Sequence, residues 1–279
     1  MTRTIALLTD FGLRDTYVGV MKAVMRRICP TVDFIDISHT VQPQNVREAA
    51  LALMTAYAYF PPGTVFLVVV DPGVGTERRL IAAAAGDYCF VAPDNGVLTY
   101  VLASEPGYKA VELAHPDYRL QPVSQTFHGR DILAPAAAHL AAGVPPEEFG
   151  PAVDALQMLS LPQLSIDDDL ICGEVIHIDH FGNIVTSIGE MSWLDETHLR
   201  LTPRFHRAAT SIHFTASLAV VTIGSERITG IARTYGEVGQ GDRLALIGSS
   251  GFLELAVNQG NCAAQLNAAV GDRVELRIT

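Results

Sequence analysis

The sequence is short of charge. Only 18% of its 279 residues are Asp, Glu, Lys or Arg, against 49% hydrophobic. A disordered chain needs the reverse balance, so the composition predicts a packed globular protein with a large core. Basic residues are the scarcer sign, 19 against 30 acids, for a net charge of -11. Arg26-Arg27 and Arg78-Arg79 are only pairs. With no denser basic patch, the average field repels polyanions, which argues against a nucleic-acid partner and tolerates a cationic ligand. The four cysteines (Cys29, Cys89, Cys172, Cys262) show no CxxC spacing. That excludes a zinc site or a disulfide framework and predicts reduced core thiols, as in the cytoplasm. No apolar run reaches the roughly 18 residues of a membrane span. The apolar run near Met1 is too short for a signal peptide. Gly248 to Glu254 is Gly/Ser-rich but lacks the lysine of a phosphate-binding P-loop. Repeats and low-complexity tracts are absent too.

What is present alternates. Ile5 to Leu8 is an apolar run. Val18, Met21, Val24, Met25 and Ile28 recur at helical spacing, and Pro30 stops that helix. Val32 to Ile37 predicts a second strand, and Val46 to Phe60 a helix ended by Pro61-Pro62-Gly63. Val65 to Val70, VFLVVV, has the continuous apolarity of a strand buried on both faces. Leu80 to Ala85 and Tyr88 to Ala92 predict two more strands, and Asp131 to Ala142 a helix. The rhythm predicts an α/β domain over 1–150 with a mostly parallel sheet flanked by helices. Gly143 to Asp169 holds Pro145, Pro146, Pro151 and Pro162 and ends in Asp167-Asp168-Asp169, so residues 151–169 read as a linker. From 170 to 279 strands dominate, predicting a smaller antiparallel β domain.

Three polar loops follow predicted strands: Thr9-Asp10-Phe11-Gly12, Asp71-Pro72-Gly73-Val74-Gly75 and Pro93-Asp94-Asn95-Gly96. Each alone is an ordinary turn. In an open α/β sheet, ligands bind outside the carboxyl ends of the strands, so three such loops point to one shared site. Phe127-His128-Gly129-Arg130-Asp131 stands before a helix. Asp131 suits the helix N-terminus electrostatically, and His128, with a reference pKa of about 6.5, suits proton transfer. His115, His139, His198, His206 and His213 are taken as surface residues. Asp179-His180-Phe181-Gly182-Asn183 separates two strands as a turn would. Asp10, Asp71, Asp94 and His128 read without further context would suit a metal-dependent hydrolase, such as a phosphoesterase.

In order, TDFGxxDxYVGxMK (Thr9 to Lys22), DPGVG (Asp71 to Gly75), PDNG (Pro93 to Gly96), FHGRD (Phe127 to Asp131), DxFGN (Asp179 to Asn183) and SSxxLExA (Ser249 to Ala256) resemble one family. It is the S-adenosyl-L-methionine hydrolase, or hydroxide adenosyltransferase, family, related to fluorinase and chlorinase. The resemblance spans nearly the whole chain. It implies a β-barrel-like C-terminal domain and a homotrimer with active sites between subunits. It also implies metal-independent, cofactor-free hydrolysis of S-adenosyl-L-methionine to adenosine and methionine. The water-activating residues it implies are Asp71, Arg78 and His128. Arg78 is preferred over the adjacent Arg79 from its spacing after DPGVG. A guanidinium stays protonated and cannot be the base, so the proton acceptor is His128 or Asp71. Substrate binding is implied for Asp10 at the ribose, Phe181, Asn183 and the Val257 backbone at the nucleoside, and Ser249 and Glu254 at the methionine. Gly129 stands where fluorinating relatives carry serine, and their insertion between Arg79 and Pro93 is missing; both departures point to water as nucleophile. Thr186-Ser187 departs from the Thr-Asn often found after FGN, so no side-chain amide acts at 187. Two further readings remain: a non-catalytic S-adenosylmethionine-binding protein, and 5′-halogenation.

Overall fold

Apolar runs and helical periodicity become a six-stranded sheet with helices in the first half of the chain. The computed structural model describes residues 3–105, 107–206 and 210–278. The chain divides into two compact units, Met1–Ser160 and Leu161–Thr279.

In the first unit β1 (Thr4–Thr9), α1 (Tyr17–Ile28), β2 (Asp33–Ser38), α2 (Val46–Ala56), β3 (Val65–Val69), β4 (Leu80–Ala85), β5 (Tyr88–Pro93), α3 (Thr99–Ser104), β6 (Lys109–Glu112) and α4 (Ala134–Ala142) follow in order. The sheet order is β2-β1-β3-β5-β4-β6. β2, β1, β3 and β5 run parallel, and β4 is antiparallel to both its neighbours. Every residue of β3 is buried, as its unbroken apolarity requires. α1 turns Val18, Met21 and Met25 inward at helical spacing and ends with Arg26 and Arg27, which suit the negative end of its dipole. α2 starts at Asn45, whose side chain accepts the Glu48 N–H at 3.1 Å. α4 ends at Gly143, where φ is 102°. Because four strands are parallel, the loops after β2, β1, β3 and β5 emerge at one sheet edge in that spatial order.

The second unit is antiparallel: β7 (Leu164–Asp167), β8 (Leu170–Ile178), β9 (Ile184–Gly189), β10 (Met191–Trp193), β11 (His198–Leu201), β12 (Ile212–Thr215), β13 (Val220–Ile223), β14 (Glu226–Thr229), β15 (Arg243–Ile247), β16 (Phe252–Val257), a short helix α5 (Cys262–Leu266) and β17 (Arg273–Arg277). Seven strands run β14-β13-β17-β8-β9-β16-β15, with β7 added on β8. The two ends of that path come back together. Arg243 Nη1 lies 2.5 Å from Glu226 Oε2, and Ala232 bridges to Leu246. The result is a nearly closed barrel around Ile171, Val175, Ile184, Leu253, Leu255 and Leu276. β10, β11 and β12 form a separate small sheet. All four cysteines are free thiols. Cys29 and Cys262 are buried, whereas Cys89 and Cys172 are only half-buried. No helix among the described residues is long and apolar enough to cross a membrane.

Candidate functional site

Asp71 begins the loop after β3, two residues beyond its last strand residue. The loop folds on itself: Thr76 Oγ1 donates to the Gly73 carbonyl at 2.7 Å, and the Arg78 N–H donates to Thr76 Oγ1 at 3.4 Å. Arg78 is thereby turned back over the loop. A Cβ at position 73 would stand 2.8 Å from Arg78 Cδ, which is why the close approach needs glycine. Asn95 Nδ2 donates to the Val70 carbonyl at 2.9 Å, tying the loop after β5 to the residue before Asp71.

Arg78 joins two other predicted residues. Its Nε donates to Asp71 Oδ1 at 2.6 Å, and its Nη2 donates to Asp71 Oδ2. The same Nη2 lies 3.0 Å from His128 Nδ1. Both side chains of the ion pair are largely shielded, at 11% and 6% exposure, so solvent screens their attraction weakly. A guanidinium only donates; His128 Nδ1 therefore accepts, and the neutral ring carries its proton on Nε2. Burial, and then the positive charge of Arg78, hold the His128 pKa below its ordinary value.

His128 immediately precedes a π-turn, Gly129–Leu133, that leads into α4. Asp131, fully buried, accepts the Ser124 N–H at 2.8 Å and pairs with Arg130 at 2.5 Å. Those bonds fix the approach to His128. The Gly129 position is tight: a Cβ there would lie 3.1 Å from Val69 Cγ1 and 3.4 Å from Met21 Sδ. Phe11, Tyr17 and Phe127 pack with ring centroids 5.1–5.8 Å apart, linking the loop after β1 to the segment before His128.

Arg79 behaves differently from its neighbour. It donates to Asp94 Oδ2 from Nε (3.0 Å) and Nη2 (2.6 Å), and to the Ala155 carbonyl at 2.8 Å. Asp94 Oδ1 accepts the Gln157 N–H at 2.7 Å. Asp94 is thus consumed in fastening residues 155–157. Asp10, in the loop after β1, accepts the Gln44 N–H on Oδ2 at 2.7 Å. Among the described residues no group of three His, Cys, Asp or Glu has the arrangement of a metal site.

The second unit gathers another set. The Asp179–Asn183 turn between β8 and β9 is knotted by one carboxylate. Asp179 Oδ1 accepts the N–H groups of Phe181 (2.9 Å) and Asn183 (2.8 Å), and Oδ2 accepts Asn183 Nδ2 at 2.9 Å. The turn pushes the Phe181 ring outward, 72% exposed, while Asn183 is buried. Asn183 Nδ2 is 3.5 Å from the Tyr235 hydroxyl, which donates to Glu254 Oε1 at 2.7 Å. Burial, followed by the charge of Asp179, pushes the Glu254 carboxyl up despite the Tyr235 bond. Burial and Glu254 together push the Tyr235 phenol up. Glu254 Oε2 lies 2.5 Å from where a Cβ of Gly248 would be, and the side-chain bond from Tyr235 goes to Oε1, not Oε2. Ser249 is exposed in the Gly248–Gly251 turn. The Val257 side chain is in the barrel core, and its carbonyl accepts the Gly260 N–H at 3.1 Å. Phe181, Asn183, Tyr235 and Glu254 therefore form one linked patch. A groove of about 540 Å³ elsewhere in the unit, where Arg233 stacks 4.2 Å from the Trp193 ring centre, contains none of these residues.

Two participants were not named from the sequence. Tyr235 carried a weak signal, as a lone aromatic inside the polar Thr234–Glu237 capping box. Gln44 carried none, since its contribution is a main-chain N–H that any residue but proline has.

Known proteins carry the same two-part plan. A family model described as the SAM hydroxide adenosyltransferase N-terminal domain matches residues 5–150, and one for the C-terminal domain matches 173–275. The chain is 39% identical to a Thermus thermophilus protein named (R)-S-adenosyl-L-methionine hydrolase, over 98% of this chain and 99% of that one. It is 40% identical to a Salinispora tropica protein of the same name, covering 100% and 98%. A Nocardia brasiliensis fluorinase is 29% identical over 98% and 96%. The crystal structure of an uncharacterised conserved protein from Thermotoga maritima superposes with a TM-score of 0.84, at 39% identity, covering 98% and 99%.

Proposed function

Because the chain belongs to the SAM hydroxide adenosyltransferase family, we propose that it hydrolyses S-adenosyl-L-methionine to adenosine and L-methionine. The observation that carries the reading is Arg78 joined at once to Asp71 and His128. Water attacks C5′ of the ribose in line with the departing sulfur. The O–C5′ bond forms, the C5′–S bond breaks, and its electron pair leaves the sulfonium as the neutral thioether of methionine. The water proton passes to a base.

That base is Asp71 in our reading. His128 Nδ1 is committed to Arg78, so the neutral imidazole offers Nε2–H and orients the water by donating to its oxygen. Each Asp71 oxygen receives one Arg78 bond and keeps a second lone pair for the proton. Arg78 holds the negative charge that builds on the water oxygen. Holding the water in line supplies several further kcal/mol, of the roughly 7–11 kcal/mol that full positioning can provide.

Asp10 accepts from the ribose hydroxyls through Oδ1, Phe181 and Asn183 meet the nucleoside with help from the Val257 backbone, and Ser249 and Glu254 hold the methionine, Glu254 Oε2 receiving its ammonium. No step calls for a metal: arginines neutralise Asp71 and Asp94. The active assembly is a homotrimer in which residues of the first unit of one copy face the second unit of its neighbour.

Cleavage in oxygen-18 water tests the reaction. Label is expected in the 5′-hydroxyl of adenosine, with methionine as co-product and no change on adding a chelator; label-free adenosine or chelator-sensitive turnover refutes it. Since the two hydrolase relatives are named for (R)-S-adenosyl-L-methionine, both sulfonium epimers are offered, and cleavage of the R form is expected.

A further inference from the structure

His39 has no role in the reaction so far, yet it is one of the few buried ionisable side chains of the first unit, 4% exposed just beyond β2. A polar ring in such a place requires partners. Its Nδ1 lies 2.9 Å from Thr9 Oγ1. Its Nε2 lies 3.1 Å from Asp36 Oδ1, close enough for an ion pair though off the hydrogen-bond direction, and has no hydrogen-bond partner among the described residues. Thr9 Oγ1 already accepts the Phe11 N–H at 3.3 Å, which leaves its own proton for Nδ1. The imidazole proton then belongs on Nε2, facing the Asp36 carboxylate. Asp36 also accepts from Lys22 Nζ at 2.7 Å, so the lysine that closes the first sequence motif anchors this chain of contacts.

The main chain repeats the connection. The Gly12 N–H donates to the His39 carbonyl at 2.6 Å. The Gln44 N–H donates to Asp10 Oδ2, and Gln44 adopts φ of 69°, a region that favours glycine. The segment after β2 thus grips the loop after β1 before Asp10, after Asp10 and at the carboxylate itself. With Oδ2 held by Gln44, Oδ1 is the oxygen left to accept; it has no donor among the described residues.

We propose that His39 is a positioning residue: through Thr9 and Gly12 it fixes the loop that aims the Asp10 carboxylate at the vicinal hydroxyls of the ribose. This rests on Asp10 being the ribose ligand. A residue that only stabilises the fold lowers the melting temperature and leaves substrate affinity alone. A positioning residue shifts KM, because the bond it orients is made equally in the ground and transition states.

The test uses the full chain carrying Thr9→Val, Thr9→Ser, His39→Ala, or Thr9→Val with His39→Ala. Three measurements are made: steady-state cleavage of S-adenosyl-L-methionine, the melting temperature, and substrate-free hydrogen exchange of the Phe11 and Gly12 amides. Thr9→Val and His39→Ala are expected to raise KM roughly five- to tenfold with kcat within about twofold, the size of one lost hydrogen bond. Thr9→Ser, which keeps the hydroxyl, recovers most of that loss. The double variant is no worse than Thr9→Val alone, since His39→Ala removes only a contact that Thr9→Val already breaks. Phe11 and Gly12 exchange faster in each damaged variant. Unchanged KM beside a lowered melting temperature, or equal KM in Thr9→Val and Thr9→Ser, overturns the proposal. Should His39→Ala not fold, the Thr9 pair decides. Should the unaltered protein leave S-adenosyl-L-methionine intact, the functional reading fails separately. Exchange of the Gly12 amide, which His39 and not Thr9 holds, then judges the clamp: faster Gly12 exchange in Thr9→Val upholds it, and unchanged Gly12 exchange overturns it.

Discussion

Arg78 donates to Asp71 and His128, whereas Arg79 donates to Asp94 and the Ala155 carbonyl, and the two should fail differently when replaced. Lysine cannot reproduce a guanidinium fork. Arg78→Lys is therefore expected to lower kcat by about 100-fold, the scale of one lost electrostatic donor in a reacting site, with little change in melting temperature. Arg79→Ala should spare the chemistry but leave Asp94 buried without its cation. With Arg79 itself partly in solvent, that costs about 2–3 kcal/mol in chemical denaturation. Steady-state kinetics beside denaturation curves checks both halves. Within the family resemblance, spacing after DPGVG favours Arg78, and Arg78 is the arginine that contacts Asp71 and His128. Tyr235 and Gln44 escaped because a lone loop aromatic and a backbone N–H leave almost no mark in a sequence.

The same triangle sets a pH dependence. Neutral His128 accepts from Arg78; protonating Nδ1 replaces that bond with repulsion between cations. Its pKa is held below about 6.5, so activity is full at neutral pH and falls as pH drops through that lowered value. Stability changes with the same sign, because below the ordinary histidine value the unfolded chain binds the proton that the folded one resists. Glu254 is shifted the other way, upward, and must be ionised to hold an ammonium. Its titration should appear as rising KM, whereas His128 appears as falling kcat. A pH series of both constants separates them.

Among the elements, the β8–β9 hairpin is the most exacting. Gly182 has φ of 86°, and a Cβ there would lie 2.2 Å from Asn261 Cγ and Oδ1. Gly182→Ala therefore strains the backbone and collides with the start of α5, at a cost of about 1–3 kcal/mol. It also moves Asn183 and raises KM; a thermal melt and a substrate titration measure the two effects. Elements differed in how far they could be read. β3 was legible because a strand covered on both faces is apolar throughout, and α1 because its buried residues recur at helical spacing. β7 was not: Leu164–Asp167 lies between Pro162 and Asp168-Asp169, which read as linker, and pairing with β8 makes it a strand. β13 and β14 are four-residue strands whose identity likewise comes from their neighbours in the barrel. Short strands carry too few residues for periodicity to show.

At the scale of the whole molecule, the two sets of residues lie in different units, Asp10, Asp71, Arg78 and His128 in the first and Phe181, Asn183, Tyr235 and Glu254 in the second. In the proposed homotrimer each site draws one set from one copy and the other set from its neighbour. That arrangement has a consequence no single-chain site shares. Asp71→Ala chains keep an intact second unit, and Glu254→Ala chains an intact first unit. Each variant alone forms only defective sites. Unfolded together in equal amounts and refolded, a site that joins the first unit of a Glu254→Ala chain to the second unit of an Asp71→Ala chain is whole. Random assembly makes about one site in four of this kind in a closed ring. Activity is therefore expected to return to about a quarter of the unaltered protein's value, in a species three times the chain mass by light scattering. Sites completed within one chain would stay dead in every mixture, because every chain carries one damaged set.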